Sequence, residues 1–245
     1  MFGSVIKNYY CEKNNINPEN VFVVSVIPCT GKKFEVQRHE DVDVSISTRE
    51  LAHMIKSASI KFTELNDEQY DNPFEVASGA GAIFGATGGV MEAALRTAKE
   101  VLENKTADCI DFTEVRGTEG VKEATYEVAG MQVKVAVASG LANAKKVLES
   151  VKNGEKEYHF IEVMACPGGC INGGGQPYQS DSVRNNVDLK TLRAKALYDF
   201  DANMSLRKSH ESPVVKMLYD EYYENPGSHK AHEQLHTTYA PRKKY

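Results

Sequence analysis

No stretch of this 245-residue chain is apolar for long enough to cross a bilayer, a span that takes about 20 such residues. The residues after Met1 lack the basic-then-apolar pattern of a secretory leader, so the sequence reads as an intracellular, cytoplasmic protein. Positive charge is not in excess. The formal net charge is −5, which gives no footprint for nucleic acid. Cysteine is scarce, at five residues. An odd, small number in a long chain is no disulfide framework; in a reducing compartment, clustered cysteines are metal ligands or reactive thiols. There is also no internal repeat and no low-complexity tract. What remains is 41% hydrophobic and 26% charged, enough for one large domain or two small ones.

The pattern of apolar residues predicts an α/β chain. Helical spacing runs from Phe2 to Asn14. Val21–Ile27 is β-branched and bounded by turn residues, a buried strand with Pro28 and Cys29 at its carboxyl end. Asp41–Ser47 alternates as a short strand, and Ser47 with Glu50 forms a capping box for the next helix. A helix from about Val90 to Asn104 sets Val90, Ala94, Ala98 and Val101 in register. Ala107–Val115 reads as a strand, and two more strands meet at a hairpin turn, Ala129-Gly130. Leu141–Lys152 is a helix with Leu141, Ala144, Leu148 and Val151 inward and Gly154 as its stop signal. A strand follows from His159 to Met164, so Val133 to Met164 forms a βαβ unit. Helices are expected over Asp188–Asp201 and from Ser212-Pro213 onward, with a frayed helix in the tail to Tyr245.

Chemistry concentrates beyond strand ends. Cys166-x3-Cys170 leads into Gly173-Gly174-Gly175, and two thiolates on a glycine-rich loop suit zinc or an iron–sulfur centre. The bland alternative is a pair of buried cysteines beside a tight turn. Cys29 is followed by Lys32 and Lys33, an electropositive setting that favours thiolate, and Lys32 suits an anionic ligand. Sites in open α/β sheets lie beyond the carboxyl ends of strands, so Cys29 and Cys166 are candidates to converge. Ser78–Gly89 is glycine-rich but lacks the spacing of a dinucleotide loop, so close backbone approach to another group is the better reading. His232-Glu233-Gln234-Leu235-His236 matches a zinc-protease pattern, but no third ligand follows it, and it reads as a surface helix. Cys11 and Cys109 lack any cluster context and read as core residues.

The run Glu162-Val163-Met164-Ala165-Cys166-Pro167-Gly168-Gly169-Cys170-Ile171-Asn172-Gly173-Gly174-Gly175-Gln176-Pro177 resembles a signature of the catalytic domain of iron-only (FeFe) hydrogenases. Pro28-Cys29-Thr30-Gly31-Lys32-Lys33-Phe34-Glu35 resembles another. Phe84 to Arg96 and Asp199 to His210 are similar to that family too, and the resemblance covers essentially the whole chain. It implies an α/β fold of mixed sheets flanked by helices, with a cluster site at strand carboxyl ends. It implies an H-cluster, a 4Fe-4S cubane bridged to a di-iron centre. Cys29, Cys166 and Cys170 would be cubane ligands and Cys170 the bridge. Lys32 would hydrogen-bond a cyanide, and Met164 and Phe84 would wall the di-iron pocket.

The implied activity is reversible reduction of protons to H2 with ferredoxin or another carrier as electron partner, matured by dedicated hydrogenase maturation proteins. Two departures accompany the resemblance. The family's Thr-Ser-Cys-Cys-Pro signature does not occur in this sequence, and Ile27 stands where the family usually has Met. The expectation is therefore the carboxyl-terminal portion of the catalytic domain, residues 1–245, needing an amino-terminal portion or separate subunit and incompetent alone. The rival expectation is a non-catalytic, hydrogenase-like iron–sulfur assembly or sensor protein; a structural zinc site is the third.

Overall fold

The computed structural model describes residues 1–38, 41–71, 73–74 and 76–240. The chain divides into two compact units, Met1–Asp67 with Pro213–Tyr245, and Glu68–Ser212.

In the first unit, β1 (Val24–Val26) and β2 (Val44–Ile46) pair in parallel, with Val24 opposite Val44 and Val26 opposite Ile46. Both strands are shorter than the alternation suggested, and β1 is not buried: Val24 and Val26 are 46% and 48% exposed. Among the described residues only β2 pairs with β1, so its β-branched residues lack the cover that a central parallel strand has. Helix α1 (Thr48–Ser57) begins with the expected capping box; Ser47 Oγ accepts from Glu50 N at 3.2 Å and Glu50 accepts from Ser47 N at 2.7 Å. The N-terminal helical segment, Phe2–Val5 through a π-turn at Ile6–Tyr10 to Cys11–Lys13, packs on the C-terminal helices of the same unit. Ser4 Oγ donates to the Gln234 carbonyl at 2.8 Å, and the Tyr9 ring meets Tyr222 edge-on at 5.4 Å. Cys11 is 1% exposed, the core residue expected. The helix His229–Leu235 leaves His232 and His236 exposed; the tail beyond 240 lies outside the described residues.

The second unit is built on three strands, β3 (Val121–Val128), β4 (Met131–Ser139) and β5 (Phe160–Met164). β3 and β4 form the expected antiparallel hairpin, closed by Ala129 and Gly130, both at positive φ. β4 and β5 are parallel and joined by helix α4 (Leu141–Lys152), the expected βαβ unit. As the central strand, β4 is covered on both faces. Val135 and Val137 face Met91, Leu95, Phe112 and Val115. Ala136 and Ala138 face Ala144 and Val147 on the other side. The inward stripe of α4 is therefore Ala144 and Val147, while Leu141, Leu148 and Val151 are exposed.

Helix α2 (Gly79–Ile83) starts at Ser78, whose Oγ accepts from Gly81 N, and a five-residue turn leads from it to helix α3 (Gly89–Glu103). The inward face of α3 is not Val90, Ala94, Ala98 and Val101. It carries Met91, Glu92, Leu95, Arg96 and Glu100, because its charged members are paired inside. Helix α5 (Leu189–Asn203) is capped by Asp188 and supplies Asp201 to that network. Residues 107–112 form no strand. Their backbone groups are taken by side chains instead: Ala107 N donates to Glu100 and the Ile110 carbonyl accepts from Arg96 Nε. Cys109 is consequently exposed, not in the core.

Candidate functional site

Strand β5 ends at Met164, and the next turn carries Cys166 and Cys170. Hydrogen bonds to neighbouring elements fix that turn. Gly140 N donates to the Met164 carbonyl at 2.7 Å. Gly168 N donates to Ser139 Oγ at 2.9 Å, and Ser139 Oγ donates to the Thr118 carbonyl at 2.8 Å. Arg193 and Gln176 both donate to the Ile171 carbonyl, at 2.9 and 3.0 Å. Both cysteines are half-buried.

The Phe84–Gly88 turn between α2 and α3 lies against this loop. Thr87 N donates to the Gly168 carbonyl at 3.1 Å, and Ile171 N donates to the Gly85 carbonyl at 3.0 Å. Two backbone bonds of opposite direction thus bracket Cys170. Gly169 makes the approach possible: at φ 94°, a Cβ would stand 2.7 Å from the Gly85 oxygen and 2.9 Å from Thr87 N. The glycine-rich stretch serves close backbone approach, as the sequence suggested.

Glu162, inside β5, secures the far end of the same turn. Its carboxylate accepts from Gly88 N and Met91 N, each at 2.7 Å, and so caps α3, whose own N-cap residue, Gly88, has no side chain to do it. Gly88 sits at φ 90°, a conformation that favours glycine, with the Val115 carbonyl too close for any Cβ. Glu162 is 5% exposed, and burial pushes its carboxyl above the ordinary value despite the two amide donors. This residue was missed by motif reading. Its signal was a lone carboxylate within the apolar run Phe160–Met164.

Below the turn lies a buried ion network. All five guanidinium donors of Arg96 are used: Nε on Ile110 O, Nη1 on Asp201 and Arg207 O, Nη2 on Glu92 and Asp201. Arg116 donates to Glu92 at 2.7 Å through both Nε and Nη2, and Arg207 donates to Asp201 and Asp111. Burial opposes ionisation of Asp201, but the Arg96 and Arg207 guanidiniums prevail and hold its carboxyl below the usual range.

Within the second unit, then, Cys166, Cys170, Met164 at the strand end and Phe84 in the stitched turn share one neighbourhood; Phe84 is 41% exposed. Cys29 and Lys32 belong to the first unit. Cys29 follows the carboxyl end of β1, half-buried, with its N–H on the Ile27 carbonyl at 2.8 Å. Lys32 Nζ lies 2.6 Å from both oxygens of Glu35. None of the five cysteines is in a disulfide. Two unbridged thiols on a tightly held loop are a soft donor set that fits zinc or an iron–sulfur cluster. The hydroxyl of Thr87, 2% exposed and in the turn bonded to that loop, has no hydrogen-bond partner among the described residues.

The class defined at this level is an α/β protein with a thiolate-bearing loop beyond a parallel strand. The chain belongs to the family described as "Iron only hydrogenase large subunit, C-terminal domain", whose model matches residues 1–174. Residues 187–242 match the model "Iron hydrogenase small subunit". The chain is 48% identical over 246 residues to Iron hydrogenase 1 of Clostridium pasteurianum, covering 98% of this chain and 43% of that protein. Its fold is similar to a solved structure of FeFe-hydrogenase HydA1 from Chlamydomonas reinhardtii, with a TM-score of 0.79 at 38% identity over 97% of this chain and 67% of that one. A more distant relative is cytosolic Fe-S cluster assembly factor narfl of Xenopus tropicalis, 29% identical over 98% of this chain and 52% of that protein. The chain thus spans about two-fifths of the length of Iron hydrogenase 1. Among the described residues, no helix is long and apolar enough to cross a membrane.

Proposed function

We propose that the chain is the carboxyl-terminal part of an iron-only hydrogenase catalytic domain that takes part in reversible reduction of protons to H2. The observation that carries this reading is the Cys166–Cys170 loop, bracketed by backbone bonds to the turn that bears Phe84 and preceded directly by Met164. In it, Cys166, Cys170 and Cys29 would be the thiolate ligands of a 4Fe-4S cubane, Cys170 being the one shared with a di-iron centre. Three thiolates leave one corner of such a cubane to another donor. When bound, the H-cluster would pass electrons from the carrier to protons and supply the metal site for H2 chemistry. The chain's own residues would do the rest: Met164 and Phe84 would exclude water from the di-iron site, and Lys32 would hydrogen-bond an anionic ligand in place of Glu35. Partners are ferredoxin or another electron carrier, a polypeptide supplying the remaining donor, and hydrogenase maturation proteins, in the cytoplasm.

The test is anaerobic loading with iron and sulfide, then with the maturation proteins and a polypeptide carrying the Thr-Ser-Cys-Cys-Pro signature. The expected results are cluster uptake, H2 evolution only in the complemented sample, and infrared bands of metal-bound carbon monoxide and cyanide. Cluster uptake without those bands supports the second reading, a non-catalytic iron–sulfur assembly or sensor role. That reading is favoured by the similarity to the narfl assembly factor and by the pairing of Lys32 with Glu35. Zinc in place of iron rejects both.

A further inference from the structure

Glu162, on the strand that leads into the Cys loop, is bonded through its side chain to a second element that is itself bonded to the loop. From β5 it accepts two amides, Gly88 N and Met91 N, at the start of α3. Those amides close the Phe84–Gly88 turn from one side. On the other side, Thr87 N and the Gly85 carbonyl are bonded to Gly168 and Ile171 of the loop that follows β5. Strand, carboxylate, turn and Cys loop therefore form a closed ring of bonds. A carboxylate that accepts two backbone amides is fixed in both position and direction, as a single acceptor is not. Glu162 makes no ion pair among the described residues, so nothing but these two amides offsets the burial of its charge. A purely structural cap would be an odd use of such a group, because α3 is already held by the Arg96 network along its length.

We propose that Glu162 is a positioning residue for the metal centre: by capping α3 at Gly88 and Met91 it sets the spacing of the Phe84–Gly88 turn from the Cys166–Cys170 loop. The inference rests on the proposed function only for the metal, since the ring of bonds stands without it. Opening the ring at Glu162 loosens both stitches that bracket Cys170, while the sheet behind stays closed. The consequence for a bound cluster is a changed hydrogen-bonding environment at the bridging sulfur, which tunes potential.

The test uses the full chain with three variants. Glu162→Gln keeps the length and one acceptor, Glu162→Asp keeps the charge without the reach, and Asp201→Asn weakens the Arg96 network as a control for lost stability. In the metal-free protein, amide hydrogen exchange at Thr87 and Ile171 is expected to quicken about ten- to a hundred-fold in both Glu162 variants, the range for a hydrogen bond to a charged group. Amides of β4 are expected to hold in both variants, and Asp201→Asn is expected to leave Thr87 and Ile171 protected. The proposal is overturned if only Gly88 and Met91 quicken, if β4 quickens equally, or if Glu162→Asp exchanges as the wild type does. After iron–sulfur loading, Glu162→Gln is expected to shift the midpoint potential and the electron-paramagnetic signature, and Asp201→Asn to leave both unchanged; equal spectra in all three overturn the extension to the cluster. Failure of the wild type to take up any cluster refutes the proposed function, while the exchange arm still decides the role of Glu162.

Discussion

Two buried carboxylates grip α3, and they do so in opposite chemical ways. Asp201 is 0% exposed and shared between the guanidiniums of Arg96 and Arg207, while Glu162 is 5% exposed and meets only backbone amides. The first belongs to a network in which carboxylates and guanidiniums alternate, Asp111, Arg207, Asp201, Arg96, Glu92 and Arg116, so charge is balanced within it. The second has no cationic partner among the described residues and lies in the strand that leads into the Cys loop. Burial raises the carboxyl of one, and guanidiniums lower that of the other in spite of burial. The difference separates frame from site. A balanced network fixes α3 against α5 with no free charge, whereas an unbalanced one is tolerated only where two amides and a helix N-terminus aim at it.

The strongest way to break this contrast is Arg96→Met. It leaves Asp201 with Arg207 alone and Glu92 with Arg116 alone, so the buried network carries one uncompensated negative charge, and the expected loss is about 3–5 kcal/mol in chemical denaturation, the usual cost of removing one partner from a buried ion network. A loss under about 1 kcal/mol would mean the network is not the frame. Glu162→Gln comes next. It swaps one of two acceptors for a donor and is expected to cost about 1.5–3 kcal/mol, measured the same way.

The pH dependence should then split by sign. Asp201 is depressed when folded, so its contribution is present above its ordinary value of 3.8 and is lost as pH falls through the folded value. Glu162 is raised, so its contribution is full below its ordinary value of 4.5 and is lost as pH rises through the folded value. Denaturation curves from pH 3 to 8 are expected to flatten on the acid side in Asp201→Asn and on the neutral side in Glu162→Gln. Parallel curves for the two variants would erase the distinction. The smallest effect is expected at Lys195→Ala. Its pair with Asp199 lies on the exposed face of α5, outside both regions, and the melting temperature should stay within experimental scatter.

Much of the frame was legible because local chemistry and tertiary position agree there. The Ser47–Glu50 box, the helix beginning at Asp188, the Ala129-Gly130 turn and the α4 crossover are each set by a few neighbouring residues. The errors fall where a side chain from elsewhere takes over. Residues 107–112 look like a strand but give their amides and carbonyls to Glu100 and Arg96. The inward stripe of α3 is hidden from apolar spacing because Glu92 and Arg96 are buried as partners. β1 carries the residues of a buried strand but, among the described residues, has only one bonded neighbour, β2. At the site, the thiolate loop and its glycines were readable as a motif. Glu162 was not, since its partners lie 74 and 71 residues away and are backbone amides that any sequence would supply.

The most direct measurement is iron content and reduced-state electron-paramagnetic resonance after anaerobic reconstitution, on the wild type and on Cys166→Ser and Cys170→Ser. About four irons per chain are expected in the wild type, with a cubane signal that each single substitution abolishes. Iron bound equally by both variants, or zinc alone in the wild type, would contradict it.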